Sequence, residues 1–174
     1  MSELEPAAVD RLRACFAGDG RVRVVQLDLT AAADGAHSAV AALNVLEHIA
    51  DDAGALRAAG RLVRPGGRVV MLVPAFPFAA GRFDRSIGHH RRYTKATLTA
   101  AYEEAGLTVE ATRYVNGPGL LAWTVLVRLL GREPGEGAAL KLWDRGVIPL
   151  VRRVEALRPP PFGQSVLAVG RTRS

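Results

Sequence analysis

Apolar and polar positions along the chain recur with two periods, and these separate its elements. In "EPAAVDRLRACFAGDG" Val9, Leu12 and Phe16 share one helical face, Pro6 suits the first helical position and Gly18 follows as a stop, so a helix is predicted. "RVRVVQLDL" is rich in β-branched residues and reads as a strand with Asp28 at its end. "SAVAALNVL" is a near-continuous apolar run, the pattern of a strand buried on both faces. Asp51 and Asp52 stand where acid complements the start of a helix striped by Leu56, Ala59 and Val63. "RPGG" is a turn into a further buried strand, "RVVMLVPAF", ended by Pro74 and Pro77.

The second half begins with an irregular arm, "PFAAGRFDRSIGHHRRY". "TKATLTAAYEEAG" then predicts a helix capped by Thr94, striped by Leu98, Ala101, Tyr102 and Ala105, and closed by Gly106. "LTVEATRYV" and "SVLAVGRTR" read as two late strands. Between them lie two apolar segments, "GLLAWTVLVRLLG" and "AALKLWDRGVIPLVRRVEALR", joined by "REPGEG". Strands alternating with helices predict an α/β fold, a mostly parallel sheet with helices on both faces. One domain over residues 1–174 is expected, with 119–160 as a helical insertion or lid before the last strand.

Composition narrows the class. At 49% hydrophobic and 23% charged, the chain reads as globular, not disordered or fibrous. Its net charge of +6 comes almost wholly from arginine, since Lys95 and Lys141 are the only lysines. Those arginines are scattered, which disfavours a nucleic-acid footprint. The single cysteine, Cys15, fits a reducing cytoplasm and leaves no Cys/His spacing for a structural metal. No apolar signal segment opens the sequence.

Ligands of open parallel sheets bind outside the carboxyl ends of the strands. The polar residues that follow the apolar runs are Glu5, Asp28, and Asn44 with Glu47 and His48. Carboxylates there can accept from a ribose diol or an adenine amino group, although each acid alone also reads as a helix-start or turn residue. In order, "ELEP", "VVQLDLT", "NVLEHIADD", "LVRPGGRVVMLVP" and "GHHRRYTKATLTAAYEEAGL" resemble the class I S-adenosylmethionine-dependent methyltransferases, the small-molecule type with a "LEHI"-like segment. The resemblance spans residues 3–115 and the terminal strand at 165–172. It implies a Rossmann-like sheet and S-adenosylmethionine as cofactor. Glu5 would hold the ribose, Asp28 and Leu29 the adenine, and Asn44 and Val45 the methionine end.

Two departures accompany the likeness. The family opens with a strand, a glycine-rich turn and a helix, and nothing of that kind precedes Glu5. An N-terminally incomplete fold is therefore expected, either shortened or repaired by a rearranged sheet or a partner. "AHSAV" also stands where an aromatic–Asp pair is usual.

The resemblance places the acceptor beside the arm, where His89 and His90 are the candidate catalytic bases, with packing as the ordinary alternative. Arg82, Arg85, Arg91, Arg92 and Lys95 crowd the arm against Asp84 alone, which fits an anionic acceptor or a solvated charge run. Tyr93 could pack or donate to a ligand, packing being favoured. The stripe Leu140, Trp143, Val147, Leu150, Val154 and Leu157 fits a lid over a hydrophobic acceptor, peripheral membrane contact through 119–158, or helices buried against the sheet or each other. The function implied is methyl transfer to a small-molecule or lipid-like acceptor through oxygen, nitrogen or carbon. The alternative is a catalytically inactive or partner-completed module on the same scaffold. A nicotinamide-dependent dehydrogenase is disfavoured because a G-x-G-x-x-G fingerprint is absent. Acceptor and oligomeric state stay open.

Overall fold

The computed structural model describes residues 2–3 (backbone only), 5–29, 35–129, 131 and 143–173. Six strands are present in them: β1 (Ser2–Glu3), β2 (Val25–Gln26), β3 (His37–Leu43), β4 (Val63–Pro74), β5 (Thr108–Val115) and β6 (Ser165–Arg171). The α-helices are α1 (Pro6–Cys15), α2 (Asp52–Leu62), α3 (Arg82–Ser86), α4 (Lys95–Glu104), α5 (Gly117–Ala122) and α6 (Ile148–Leu157). The linker "REPGEG", and Leu140 and Lys141 after it, lie outside the described residues.

The main sheet has the order β3-β4-β6-β5. β3 runs parallel to β4, and β6 is antiparallel to both β4 and β5, so three strands point one way and the last strand returns between them. β1 and β2 form a separate parallel pair, with Glu3 opposite Gln26. Among the described residues, the outer edge of β3 pairs with no strand. This corrects the expectation for "SAVAALNVL". A strand paired on one side stays largely open to solvent, and Leu43 is 60% exposed. The predicted strand over 21–29 shrinks to Val25–Gln26, because only β1 pairs with it.

Alternation along β4 and β6 builds the core. Val69, Met71, Val73, Val166 and Ala168 point to one face and are fully buried. On that face they meet Leu56 and Ala59 of α2 and Leu98 and Tyr102 of α4. Burying such side chains stabilises the fold by about 1.5–3 kcal/mol each. Tyr102 reaches across α4 to the sheet and donates to the carbonyls of Val69 and Ala168, both at 3.3 Å.

Local chemistry fixes the helix ends. Asp51 accepts from the Gly54 amide at 2.7 Å and caps α2. Thr94 accepts from the Thr97 amide at 3.2 Å and caps α4 as expected. "RPGG" is an excursion within the ladder: His37 pairs with Val63, Ala39 with Arg68, and Gly66 adopts φ +73° between them.

The arm after β4 is more ordered than expected. It forms a short 3-10 turn (Pro77–Ala79) and then α3. Beyond α5 the chain continues as π-helix over Trp123–Leu129 and again over Trp143–Val147, leading into α6. The segments expected to bury against the sheet or each other remain substantially open. Leu121, Val125, Leu126, Leu129, Leu150, Val154 and Leu157 are all exposed. No described helix is long and apolar enough to cross a membrane.

Candidate active site

A cleft of about 410 Å³ opens where β3 and β4 end and β6 begins, within the usual range for small-molecule sites. A second groove of about 340 Å³, lined by Arg57, Arg61 and Arg173, lies at the opposite end of β6. The first holds the groups with chemistry, and it sits at the strand ends where parallel sheets take ligands.

The floor of the cleft comes from the turn after β3. Asn44 adopts φ +54°, a left-handed conformation that asparagine tolerates better than most residues, and its amide donates to Leu72 O at 2.8 Å. The chain then turns through a 3-10 segment, Leu46–His48. Leu46 enters the core, Glu47 is fully buried, and His48 remains at the surface. Both carboxylate oxygens of Glu47 lie buried with no hydrogen-bond partner. Burial pushes its carboxyl up to about 7, against the weaker opposing pulls of its own backbone amide and then of Arg92.

The wall comes from the arm. The Asp84 carboxylate accepts from Arg92 Nε at 2.6 Å and from the Gly81 amide at 2.9 Å, and lies 3.0 Å from His89 Nδ1. Burial tends to raise its pKa, yet these three partners outweigh that and hold the carboxyl below the ordinary value. An ionised carboxylate only accepts, so Nδ1 carries the ring proton and a neutral His89 leaves Nε2 with its lone pair. Nε2 faces Glu47 Oε1 at 3.8 Å, beyond hydrogen-bonding distance. The His48 and His89 rings meet edge to face with centroids 4.6 Å apart. Desolvation, then the neighbouring His89, lowers the His48 pKa.

Trp123 closes the other side. Its Nε1 donates to Ala79 O at 3.1 Å, Phe83 packs against its ring, and Arg92 lies 4.7 Å over its centroid. The arm itself is tied down through Tyr93. Its amide donates to Pro74 O, its carbonyl accepts from Phe76 N, and its hydroxyl donates to Asp52 at 3.0 Å.

The sequence-derived site residues divide into groups. Asn44 and His89 line the cleft, and Val45 adjoins Asn44 at its floor, 37% exposed. His90 is exposed, and its amide donates to the Glu47 carbonyl at 2.8 Å. Glu5 and Asp28 each follow, by two residues, the paired Glu3 and Gln26, so they stand at the same end of the small β1–β2 sheet. Leu29 packs partly buried against the main core. Arg92, counted among free arm cations, is instead buried against Asp84, and Arg91 is bonded to Asp52 at 2.7 Å. Asp84 and Trp123 were not singled out as site residues. The signal for Asp84 was its place as the one acid amid the arm's arginines.

Comparison with known proteins defines the class. The sequence model described as "Methyltransferase domain" matches residues 4–112, more than half of the chain, and the protein belongs to that family. It is a methyltransferase-family protein, and its fold is shared with S-adenosylmethionine-dependent enzymes of known structure. No curated protein matches the sequence. Among solved structures, the complex of the Haloferax volcanii Trm112 methyltransferase activator with a methyltransferase aligns at TM-score 0.66 and 19% identity, covering 99% of this chain and 71% of that one. Geranyl diphosphate C-methyltransferase from Streptomyces coelicolor, bound to Mg2+, geranyl diphosphate and S-adenosylhomocysteine, aligns at 0.62 and 14%, covering 98% and 60%. The [4+2]-cyclase SpnF aligns at 0.61 and 15%, covering 99% and 64%. At such identities these likenesses establish the fold alone.

Proposed function

We propose that the protein transfers a methyl group from S-adenosylmethionine to a protic oxygen or nitrogen of a lipid-like small molecule, with His89 as proton acceptor. The observation that carries this is the Asp84–His89 pair in the strand-end cleft, which leaves Nε2 available to an acceptor.

The residues present fit the cofactor by their chemistry. Glu5 and Asp28 supply carboxylate acceptors at neighbouring strand ends for ribose and adenine, and Leu29 supplies apolar packing. Asn44 and Val45, exposed on the turn after β3, would hold the methionine portion. When bound, S-adenosylmethionine supplies an electrophilic methyl on sulfur. The chain's own contribution is to hold the acceptor in line and take its proton. His89 Nε2 accepts that proton, the charged imidazolium is stabilised by Asp84, and Arg92 keeps Asp84 in place. His90 stands outside this chemistry, since it is exposed and absent from the cleft lining.

An apolar acceptor is supported by the wall. The helix that places Trp123 in the cleft also exposes the apolar Val125, Leu126 and Leu129. α6 adds Leu150, Val154 and Leu157 beside Arg152, Arg153 and Arg158, which suits peripheral contact with an anionic membrane. A second reading, a module completed by a partner, is supported by the outer edge of β3, which pairs with no strand among the described residues.

Two measurements test the proposal. Calorimetric titration with S-adenosylhomocysteine is expected to show one site; no binding by the folded chain favours the partner-completed module. Transfer of labelled methyl from S-adenosylmethionine to a panel of long-chain alcohols and amines is expected to fail in H89Q. Equal turnover by H89Q across pH 6–9 overturns the base assignment.

A further inference from the structure

We propose that Glu47, His48 and His89 form a binding site for a borderline divalent transition cation of the Zn2+ or Co2+ class. The proposal uses the same cleft but does not depend on methyl transfer.

Three observations carry it. Each residue offers one ligand atom, and the three atoms lie within 4.8 Å of one another. Glu47 is fully buried with both oxygens unpartnered, although the same buried neighbourhood satisfies Asp84 through three bonds. An orphaned buried carboxylate is costly, by about 1–3 kcal/mol or more, and a cation is the partner that repays it. Finally, His89 is arranged as metal-bound histidines are. Its Nδ1 is held by the Asp84 carboxylate at 3.0 Å, which turns Nε2 toward Glu47.

The ligand set decides the metal. Two imidazoles and one carboxylate suit Zn2+, Co2+ or Fe2+ better than Mg2+ or Ca2+, which favour all-oxygen shells. Zinc–nitrogen and zinc–oxygen bonds of about 2.0–2.2 Å place tetrahedral ligand atoms on the order of 3.3 Å apart. Glu47 Oε1 and His89 Nε2 are already at 3.8 Å. No two of the three ligand atoms lie more than 4.8 Å apart, so the closure required is small. The fourth position opens into the cleft, so a solvent or substrate oxygen can complete the shell. Nε2 cannot bind a cation and accept a proton together. The empty and loaded forms therefore use His89 differently.

The test is titration of the chelator-treated protein with Co2+, whose visible absorption reports coordination geometry, in a C15S background that removes the exposed thiol. The expected result is one equivalent bound, with the intense bands of a four- or five-coordinate site. E47Q and H48N are each expected to weaken binding at least tenfold, whereas H90N, altered at the exposed neighbour, retains it. D84N is expected to weaken binding about 10–100-fold through loss of the orienting carboxylate. Circular dichroism confirms that each variant folds. The proposal is overturned if folded E47Q and H48N bind Co2+ as the parent does, or if the parent shows only octahedral absorption of weakly held ions. S-adenosylhomocysteine titration of the same samples reads the methyltransferase assignment separately.

Discussion

Asp84 and His89 are bonded twice, side chain to side chain at 3.0 Å and from the His89 amide to the Asp84 carbonyl at 2.9 Å. The backbone bond closes the loop between them, and the side-chain bond then selects which ring nitrogen faces the cleft. Local geometry in one short loop thus sets both the position and the tautomer of the proposed base.

Removing the carboxylate charge while keeping the shape tests that relationship. D84N is expected to lower kcat by roughly 10²–10⁴-fold, the usual share of a positioned base, with KM little changed. If the two residues act as a unit, D84N/H89Q is no slower than H89Q alone. Additive losses in a steady-state comparison of the three variants would count against the pairing.

Arg92 offers a stability test. It is 5% exposed, paired with Asp84 at 2.6 Å, and stacked over Trp123. Replacing one partner of a buried pair strands the other, so R92M is expected to destabilise the fold by about 3–5 kcal/mol in urea unfolding. R92K is expected to recover only part of this, because an ammonium lacks the planar fork that bonds and stacks at once.

Glu47 gives stability a pH signature. Its folded pKa, about 7, lies above the ordinary glutamate value of 4.5, so the folded state holds a proton that the unfolded state has released between those limits. Stability therefore falls as pH rises from 4.5 towards 7 and flattens above, a loss of up to about 3 kcal/mol. E47Q removes that slope. Chelator-treated wild type and E47Q should match near pH 4.5, with E47Q the more stable at pH 8. Parallel denaturation curves over this range would show the burial penalty to be absent.

How much of this was legible beforehand depends on range. The acidic helix start at Asp51, the Thr94 cap and the helical stripe through Leu98 and Tyr102 follow from local chemistry and spacing, and the structure has them where the sequence put them. His89 was legible as a candidate because the family resemblance sets the acceptor beside the arm and an imidazole titrates near neutral pH. Its distinction from His90 was not, since adjacent residues share every local signal and only the fold decides which one faces the cleft. Arg92 read as a surface cation for the same reason. Its burial depends on Trp123 and Asp84, brought to it from elsewhere along the chain. The exposure of β3 was likewise hidden, because an apolar run reports hydrophobicity and not how many neighbours the strand has.

The exposed stripe on α6 makes the final prediction. Leu150, Val154 and Leu157 are 62%, 58% and 90% exposed and recur at helical spacing, with Arg152, Arg153 and Arg158 also exposed. Transferring such side chains out of water is worth about 1.5–3 kcal/mol each when burial is complete. Each arginine adds about 1 kcal/mol beside an anionic leaflet. Co-sedimentation is therefore expected with vesicles containing phosphatidylglycerol, weaker with neutral phosphatidylcholine, and reduced by salt because the charge contribution is screened. L150S/V154S/L157S should abolish co-sedimentation while leaving unfolding stability within about 0.5 kcal/mol, since solvent-facing positions contribute little to the core. If the triple variant instead loses several kcal/mol, the stripe is covered by protein in solution and the membrane assignment for α6 fails.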